Sequence, residues 1–317
     1  MSVQVPLSEA VVICTRNRPN DLEQTLDSVA NQSGAEARLV LIVDGSDPDE
    51  AVATAQVVEH YSEQLPCRYY KYPGPPAQTR QRNTAIELLS PPIDVVHFID
   101  DDVSLRPGYF QKLTFTLADT PSLLGVGGLI IDSSDLCPPP PPSWAQQVFL
   151  LGTRTPSQVL PSGQTTPPRA TGEEVYPADW LSTCSSTYRL SVLRRHSFDP
   201  EVEGPSPTLH DLDFSYRVAQ EGPLAVVSTA KCVHHRSQNA RRNIRSSSRE
   251  RVARRYWFVR KNMDHPVHRL AFWWSILGTA LARLLSKHPD SKEALRGLLR
   301  GVHAIWTRRH PLLQPDG

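Results

Sequence analysis

The chain has 317 residues, of which 39% are hydrophobic and 21% charged, and its formal net charge is +1. These values exclude an intrinsically disordered chain and favour one large domain with a smaller appendage. The five cysteines are widely spaced and form no CxxC pair, so we expect neither a disulfide framework nor a zinc site, and a reducing cytoplasm is the natural compartment.

Strands and helices are predicted to alternate through the first hundred residues. No basic leader precedes the first apolar run, so we expect no signal peptide. Short apolar runs predict strands at 10–14, 39–43, 67–72 and 95–99, and helical spacing predicts helices at 20–29, 49–63 and 77–89. This order predicts an α/β fold with a mostly parallel sheet flanked by helices, as in Rossmann-like nucleotide-binding folds.

The pattern becomes irregular after the sheet and then basic. Residues 133–168 include five consecutive prolines and predict a long surface loop, with a polyproline ligand as the alternative. A helix over 211–220 and a short strand over 224–227 follow. The segment from Arg236 to Lys261 contains ten Lys or Arg residues and one acidic residue, Glu250. The apolar stretch 270–282 is too short to span a membrane, so it lies in the membrane interface or packs against the main domain.

Three consecutive aspartates, Asp100, Asp101 and Asp102, follow the fourth predicted strand. Their charges repel one another, and a divalent cation would offset that repulsion, because Mg²⁺ and Mn²⁺ prefer carboxylate ligands. Ligands of open α/β sheets bind where strands end. A solvated acidic turn is the alternative. Neither a dinucleotide fingerprint nor a P-loop is present, so any phosphate is held in another way.

The assembled motifs resemble those of a family 2 glycosyltransferase of the GT-A fold, over about residues 8 to 236. The matching segments are Cys14–Pro19, Val43–Ser46, Gln81–Ile86, the three aspartates as the D-x-D motif, Trp180–Arg189, Phe198–Pro200 and His210–Arg217. The resemblance implies transfer of a sugar from a nucleoside diphosphate sugar to an acceptor hydroxyl, with inversion. The expected acceptor is a glycan or a lipid-linked sugar, as in polysaccharide biosynthesis.

The resemblance also implies the donor site. Mn²⁺ or Mg²⁺ would be held by Asp102 and Asp100, with His235 completing the shell and His234 as its alternative. Thr15, Arg16, Asp44, Asp100 and Asp101 would line the nucleotide pocket, together with Arg82 or its competitor Arg80.

Asp211 is the residue that the family motif assigns as the general base. Without the motif, it would be read as a helix N-terminal residue favoured by the dipole. A carboxylate near the acceptor can take the hydroxyl proton during attack. The family usually has Glu before this Asp, and this chain has His210, which puts the local geometry in question.

The expected organisation is a GT-A domain over 1–235, followed by a basic and apolar helical region over 236–317. Within the first domain, 1–132 would bind the nucleotide sugar, 133–168 form the proline-rich loop and 169–235 bind the acceptor. Arg236, Arg241 and Arg242 are candidates to close over the diphosphate. We expect a cytoplasmic protein, with 236–286 at the inner face of the cell membrane.

Two other classes of function stay open. A metal-dependent nucleotidyltransferase would use the same sheet, but the loop Cys14–Pro19 lacks the glycines expected after its first strand. A non-catalytic module that binds sugar nucleotides is the other. Nucleic acid is not an expected partner, because Tyr256, Trp257 and Phe258 are clustered rather than interleaved with basic residues.

Overall fold

The structure is a computed structural model, and it describes residues 7–34, 38–132, 141–203, 208–235 and 243–314. The chain divides into two compact units, the first drawn from 1–138, 168–203 and 210–236 and the second from 139–167, 204–209 and 237–317. Residues 139–167, expected in the first domain, thus group with the C-terminal helices. Arg236, Arg241, Arg242 and residues 133–140 lie outside the described part.

Among the described residues, nine strands form one sheet. They are β1 (Glu9–Thr15), β2 (Leu39–Asp44), β3 (Cys67–Lys71), β4 (Val95–Asp100), β5 (Val103–Leu105), β6 (Gly125–Asp132), β7 (Val175–Ala178), β8 (Ser185–Arg189) and β9 (Leu224–His234). The helices are α1 (Pro19–Ala30), α2 (Pro48–Tyr61), α3 (Gln78–Leu88), α4 (Tyr109–Asp119), α5 (Trp144–Val148), α6 (Leu190–Leu193), α7 (Thr208–Glu221), α8 (Ile244–Asn262), α9 (Pro266–Leu285) and α10 (Ser291–Trp306).

The strand order is β3-β2-β1-β4-β8-β6-β9-β5, with β7 paired to β9. Strands β3, β2, β1 and β4 run parallel, which confirms the alternation predicted for the first hundred residues. The other half is mixed, because β8 is antiparallel to both β4 and β6, whereas β9 is parallel to β6. The predicted short strand at 224–227 is longer and extends to His234.

Both faces of the sheet are covered by hydrophobic cores, which explains the unbroken apolar runs of its first strands. Side chains alternate between the two faces along a strand. In β1, Val11 and Ile13 join the core that contains residues of α1, α2 and α4, whereas Val12 and Cys14 join the core with α3, α6 and α7. By the same alternation, Phe98 packs in the second core. Asp100, two residues further along β4, therefore lies on the face of the sheet that α3 and α7 cover.

Strand ends of the parallel half lie side by side. In the register of the sheet, Thr15 pairs with Asp44, and Cys14 pairs with Asp100. Helix α1 follows β1 and begins at Pro19, one residue before the expected start. Proline suits this first position, because its fixed φ is helical and its missing N–H would have no partner there.

The second unit contains the helices of the basic and apolar region. Helix α9 buries one face, which includes Ala271, Phe272 and Ile276, while Leu270 and Leu277 on the opposite face are exposed. None of the described helices is both long and apolar enough to cross a membrane. The apolar stretch 270–282 is thus part of an amphipathic helix of 20 residues.

Candidate active site

Asp44, which is expected to line the nucleotide pocket, ends β2 with a fully buried side chain. Its carboxylate accepts hydrogen bonds from the backbone nitrogen of Ser46 at 2.8 Å and the hydroxyl of Tyr69 at 2.7 Å. Nζ of Lys71 lies 3.6 Å from the same group. Because these partners enclose it, Asp44 holds the loop after β2 in shape, and its carboxylate is not exposed to a ligand.

Gln81, which the sequence did not single out as a site residue, joins the ends of β1 and β2. Its Nε2 donates to the carbonyl oxygens of Thr15 at 3.1 Å and Val43 at 2.9 Å. A Cβ at Gly45 would lie 3.1 Å from this amide, so a larger residue there would crowd it. One buried side chain of α3 therefore fixes the edge of the sheet where Asp44 lies.

Of the arginines after β1, Arg18 rather than Arg16 reaches the aspartates. Arg16 is exposed, and its Nη2 lies 4.0 Å from Oδ1 of Asp47. Nη1 of Arg18 donates to Oδ2 of Asp102 at 3.1 Å and lies 3.4 Å from Oδ1 of Asp101. Arg18 lies directly before the proline that begins α1. This position was the one indication in the sequence that Arg18 is near the site, and it was missed.

Asp101 is buried and turned towards β1. Oγ1 of Thr15 donates to its Oδ2 at 2.6 Å. Burial raises the pKa of Asp101 to about 7, although Thr15 and Arg18 oppose the rise. The carboxylate of Asp101 is therefore held by β1 and the segment after it, whereas Asp100 contacts a residue of α3 and Asp102 contacts a residue of β9.

The two histidines at the end of β9 diverge. Nε2 of His234 lies 3.0 Å from Oδ1 of Asp102. His235 is exposed, and its Nε2 lies 2.8 Å from Oγ of Ser104. Burial would raise the pKa of Asp102, but His234 and then Arg18 lower it. The structure thus brings His234, and not the expected His235, to the aspartates, because neighbouring residues of an extended chain point in opposite directions.

A group of potential metal ligands lies at these strand ends. One ligand atom each from Asp100, Cys184 and His234 lies within 4.8 Å of the other two. Carboxylate and imidazole are ligands that divalent cations take in proteins, and Oδ1 of Asp102 lies 3.0 Å from Nε2 of His234, beside this group. The donor atoms therefore fit a divalent cation.

Arg82 connects two carboxylates through a buried guanidinium. Its Nη2 donates to Oδ1 of Asp100 at 3.1 Å, and its Nη1 lies 3.6 Å from Oδ1 of Asp211. Nη1 is buried and makes no hydrogen bond, and the group lies 5.5 Å from the ring centre of Phe198. Arg80, the competitor, is exposed, because residues two apart on a helix face different directions.

Asp211, the expected base, lies in the first turn of α7. Its Oδ1 lies 2.8 Å from Nε2 of His210 and accepts a hydrogen bond from Thr183, while Ser182 donates to Oδ2 at 3.2 Å. Burial would raise the pKa of Asp211, but His210, Arg82 and Thr183 lower it to about 2. The side chain is therefore an oriented, ionised carboxylate.

Other residues of the motifs have structural contacts instead. Asn83 exchanges two hydrogen bonds of 2.8 Å with the backbone of Phe198, which holds that ring beside Arg82. On α7, Nε of Arg217 donates to Asp213 at 3.1 Å. These motif residues support the positions of Arg82 and Asp211, and neither pair brings a further reactive group to the site.

Comparison with known proteins identifies the class. The family model described as "Glycosyl transferase family 2" matches residues 10–161. S. aureus TarS is similar in structure, with 16% identity and a TM-score of 0.53, over 96% of this chain and 44% of that protein. GalNAc-T7 with UDP, GalNAc and Mn²⁺ is also similar in structure, with 13% identity and a TM-score of 0.59. The match covers 96% of this chain and 58% of that protein.

A third similar structure is the mannosyltransferase PcManGT from Pyrobaculum calidifontis in complex with GDP-Man and Mn²⁺. It has 14% identity and a TM-score of 0.56, and the match covers 98% of this chain and 87% of that one. The chain thus spans less than two thirds of TarS and GalNAc-T7 and most of PcManGT. No curated protein sequence matches this chain.

The mixed sheet with its aspartates at the strand ends is the GT-A fold of glycosyltransferases. The match of residues 10–161 to the family 2 glycosyltransferase model agrees with the resemblance that the motifs of the sequence indicated.

Proposed function

We propose that this protein transfers a sugar from a nucleoside diphosphate sugar to an acceptor hydroxyl, with inversion and with the help of Mn²⁺ or Mg²⁺. One observation carries the proposal: Arg82 contacts Asp100 at 3.1 Å and Asp211 at 3.6 Å. A carboxylate suited to binding a metal and one suited to accepting a proton therefore lie on either side of one cation. Glycosyl transfer needs these two functions on opposite faces of the sugar.

The donor half of the proposed site lies at the ends of β4 and β9. Asp100, Asp102 and His234 would hold the divalent cation, which when bound neutralises the charge that develops on the leaving diphosphate. Nη1 of Arg82 is a buried donor without a hydrogen-bond partner, and a phosphate oxygen is a suitable acceptor for it. Arg18, which already contacts Asp102, supplies a second positive charge on this side.

The nucleoside would lie along the loops that follow β1 and β2. Thr15, Arg16 and Asp44 form this edge in our proposal. The enclosed carboxylate of Asp44 would shape the pocket through the loop after β2, and Arg16, which is exposed, would be free to meet the ligand. The identity of the base would then depend on backbone groups of these loops.

The acceptor half would use residues 169–235, with Asp211 as the base. As the acceptor oxygen bonds to the anomeric carbon, the bond from that carbon to the diphosphate oxygen breaks, and the hydroxyl proton passes to the carboxylate. Ser182 and Thr183 hold Asp211, which limits the directions from which a hydroxyl can approach. A single displacement of this kind inverts the anomeric centre.

We propose further that the protein acts at the inner face of the cell membrane, on a glycan or lipid-linked acceptor. Support comes from α9, which contains no acidic residue and leaves Leu270, Trp274, Leu277 and Leu284 exposed. Arg283, near the end of the helix, is also exposed. An apolar face with basic residues is suited to the interface of an anionic membrane.

The proposed reaction is tested by incubating the protein with a panel of nucleotide sugars, with and without Mn²⁺, and a set of acceptors. Release of nucleoside diphosphate together with a glycosylated product of inverted configuration is the expected result. Donor binding without turnover for any donor and acceptor would instead favour a binding module. Release of pyrophosphate from a nucleoside triphosphate and a sugar phosphate would favour a nucleotidyltransferase.

A further inference from the structure

The buried thiol of Cys184 lies among the candidate metal ligands. Its Sγ, a carboxylate oxygen of Asp100 and a ring nitrogen of His234 lie within 4.8 Å of one another. Among the described residues, these three donors form the group that lies close enough together to share one metal ion. Cys184 belongs to the matching segment Trp180–Arg189, in the part of the chain that the sequence predicts to bind the acceptor.

The sheet itself brings these three donors together. Strands β4 and β8 are antiparallel, with Ile99 paired to Ser185, so Asp100 and Cys184 come one step beyond the last pair. His234 ends β9 and pairs with Val103 of β5. Asp100 and His234 end paired strands and Cys184 directly precedes one, so the backbone ladder limits how far these donors can move apart.

The chemistry of the three donors differs from that of an all-oxygen site. Carboxylate and water ligands suit Mg²⁺ and Mn²⁺, whereas thiolate selects softer cations, and one thiolate with one imidazole and one carboxylate suits Zn²⁺, Co²⁺ or Cd²⁺. Together with Asp102 of the proposed function, these donors make four protein ligands, and a cation that expands to five-coordinate still has a position for a substrate. The thiol proton is released to solvent as the metal–sulfur bond forms.

We propose that Cys184 is a direct ligand of the active-site cation, and that its sulfur makes the site prefer Zn²⁺-like over Mg²⁺-like ions. The inference rests on the metal site of the proposed function and adds a residue and a metal preference to it. Asp102, 3.0 Å from Nε2 of His234, lies beside the same imidazole. In the proposed function Asp102 holds the same cation.

Cys232 provides a matched control, because it is also a buried free cysteine and its side chain contacts that of Cys184. It belongs to β9 but is not one of the three grouped donors. Replacing Cys232 by Ser therefore removes a thiol from the same core without removing the proposed ligand. Loss of packing should be similar in the two serine variants, whereas loss of metal binding should not.

The test is the absorption spectrum of the full chain titrated with Co²⁺, with bound Co²⁺ measured by equilibrium dialysis. We expect a thiolate-to-Co²⁺ charge-transfer band in the wild type and in Cys232→Ser, and none in Cys184→Ser. Affinity for Cd²⁺ should fall in Cys184→Ser by at least about 10- to 100-fold, because mutation of a residue that only hydrogen-bonds to a metal ligand already causes a loss of this size. Affinity for Mn²⁺ should change less. A band that persists in Cys184→Ser would overturn the proposal.

X-ray absorption at the zinc edge of the wild-type protein gives an answer that needs no variant. A sulfur neighbour at about 2.3 Å is expected, and a shell of oxygen and nitrogen alone would overturn the proposal. These measurements do not depend on turnover. A protein that transfers sugar with an oxygen and nitrogen shell would contradict only this inference, and one that binds zinc through sulfur without transferring sugar would contradict only the proposed function.

Discussion

Nε2 of His210 lies 2.8 Å from Oδ1 of Asp211, and both side chains are largely buried. The position where the family usually has glutamate is thus occupied by a side chain that contacts the proposed base directly. An imidazole beside the carboxylate favours its ionised form, whereas a second carboxylate would disfavour it. His210 therefore changes the conditions under which Asp211 accepts a proton.

Replacing Asp211 by Asn should lower kcat by about 10²- to 10⁴-fold, the usual contribution of a general base, with donor affinity nearly unchanged. Steady-state kinetics and donor titration with Mn²⁺ separate these effects. Asp213→Asn is the matched control, because Asp213 is buried on the same helix but pairs with Arg217. It should lower stability more than turnover. Full activity in Asp211→Asn would exclude this residue as the base.

Replacing His210 by Gln should move the acidic limb of the pH–kcat profile to higher pH. In the wild type the pKa of Asp211 is about 2, so its protonation should not limit kcat in the neutral range. Without His210 the raising effect of burial is less opposed, and the pKa of Asp211 rises. The profile measured down to the lowest pH at which the protein is folded is the test. An unchanged limb in the variant would refute this coupling.

Acid should destabilise the fold through a buried pair at the start of the sheet. Burial would raise the pKa of Glu9, but His97 and then Arg38 lower it from 4.5 to about 2, and burial lowers the pKa of His97 from 6.5. Both groups bind fewer protons in the folded than in the unfolded state, so stability falls as pH falls: below 6.5 through His97, and between 4.5 and about 2 through Glu9.

The size of the Glu9 effect is at most about 3 kcal/mol, from the pKa difference at 1.36 kcal/mol per unit. Urea unfolding at several pH values between 7 and 3.5 measures it. Glu9→Gln should be less stable at pH 7 and should show a flatter dependence below pH 4.5, the usual pKa of this group. A dependence as steep as that of the wild type would assign the acid sensitivity to other groups.

Asp102→Asn should weaken Mn²⁺ binding by at least about 10- to 100-fold, as expected for a residue in or next to a metal shell. Titration followed by electron paramagnetic resonance of free Mn²⁺ measures the affinity directly. Asp119, an exposed residue at the end of α4, offers the control Asp119→Asn, which should bind Mn²⁺ like the wild type. Chelation followed by return of Mn²⁺ should remove and restore donor binding in the wild type.

Exposed leucines of α9 should determine binding to membranes. Leu270 is 70% exposed and Leu277 is 48% exposed, so replacing both by Glu should not disturb packing, but should lower binding to anionic vesicles by about tenfold or more. Leu299 of α10 is 57% exposed and provides Leu299→Glu as control. Equal sedimentation of all three proteins with vesicles would rule out α9 as the contact surface.

The first half of the fold was predictable because its strands are buried on both faces. Runs such as Ala10–Cys14 are typical of strands buried on both faces. The observed β1 is one residue longer than predicted at each end, and β2 and β4 are each one residue longer at the C-terminal end. Strand β8 was missed because its sequence, SSTYR, is mostly polar. Its hydroxyl side chains, Ser185, Ser186 and Thr187, are buried nevertheless, and no periodicity of hydrophobic residues marks such a strand.

The site was predictable where a motif names a residue and not where only the pairing of strands places it. The motifs named Arg82 and Asp211 separately, and the structure adds that the two side chains lie 3.6 Å apart. Cys184 could not be linked to Asp100 or His234 without knowing that β8 lies beside β4. The choice between the two histidines likewise depended on where β9 ends, which its short predicted core, 224–227, did not show.

Arg82 has a consequence for the sequence of binding events. Its charge is already shared between Asp100 and Asp211, and Asp102 adds another negative charge close by. A diphosphate that arrived alone would meet more negative than positive charge, so attraction requires that a cation precede or accompany it. We therefore expect kinetics in which the donor does not bind before the cation: the cation binds first, or the two bind together.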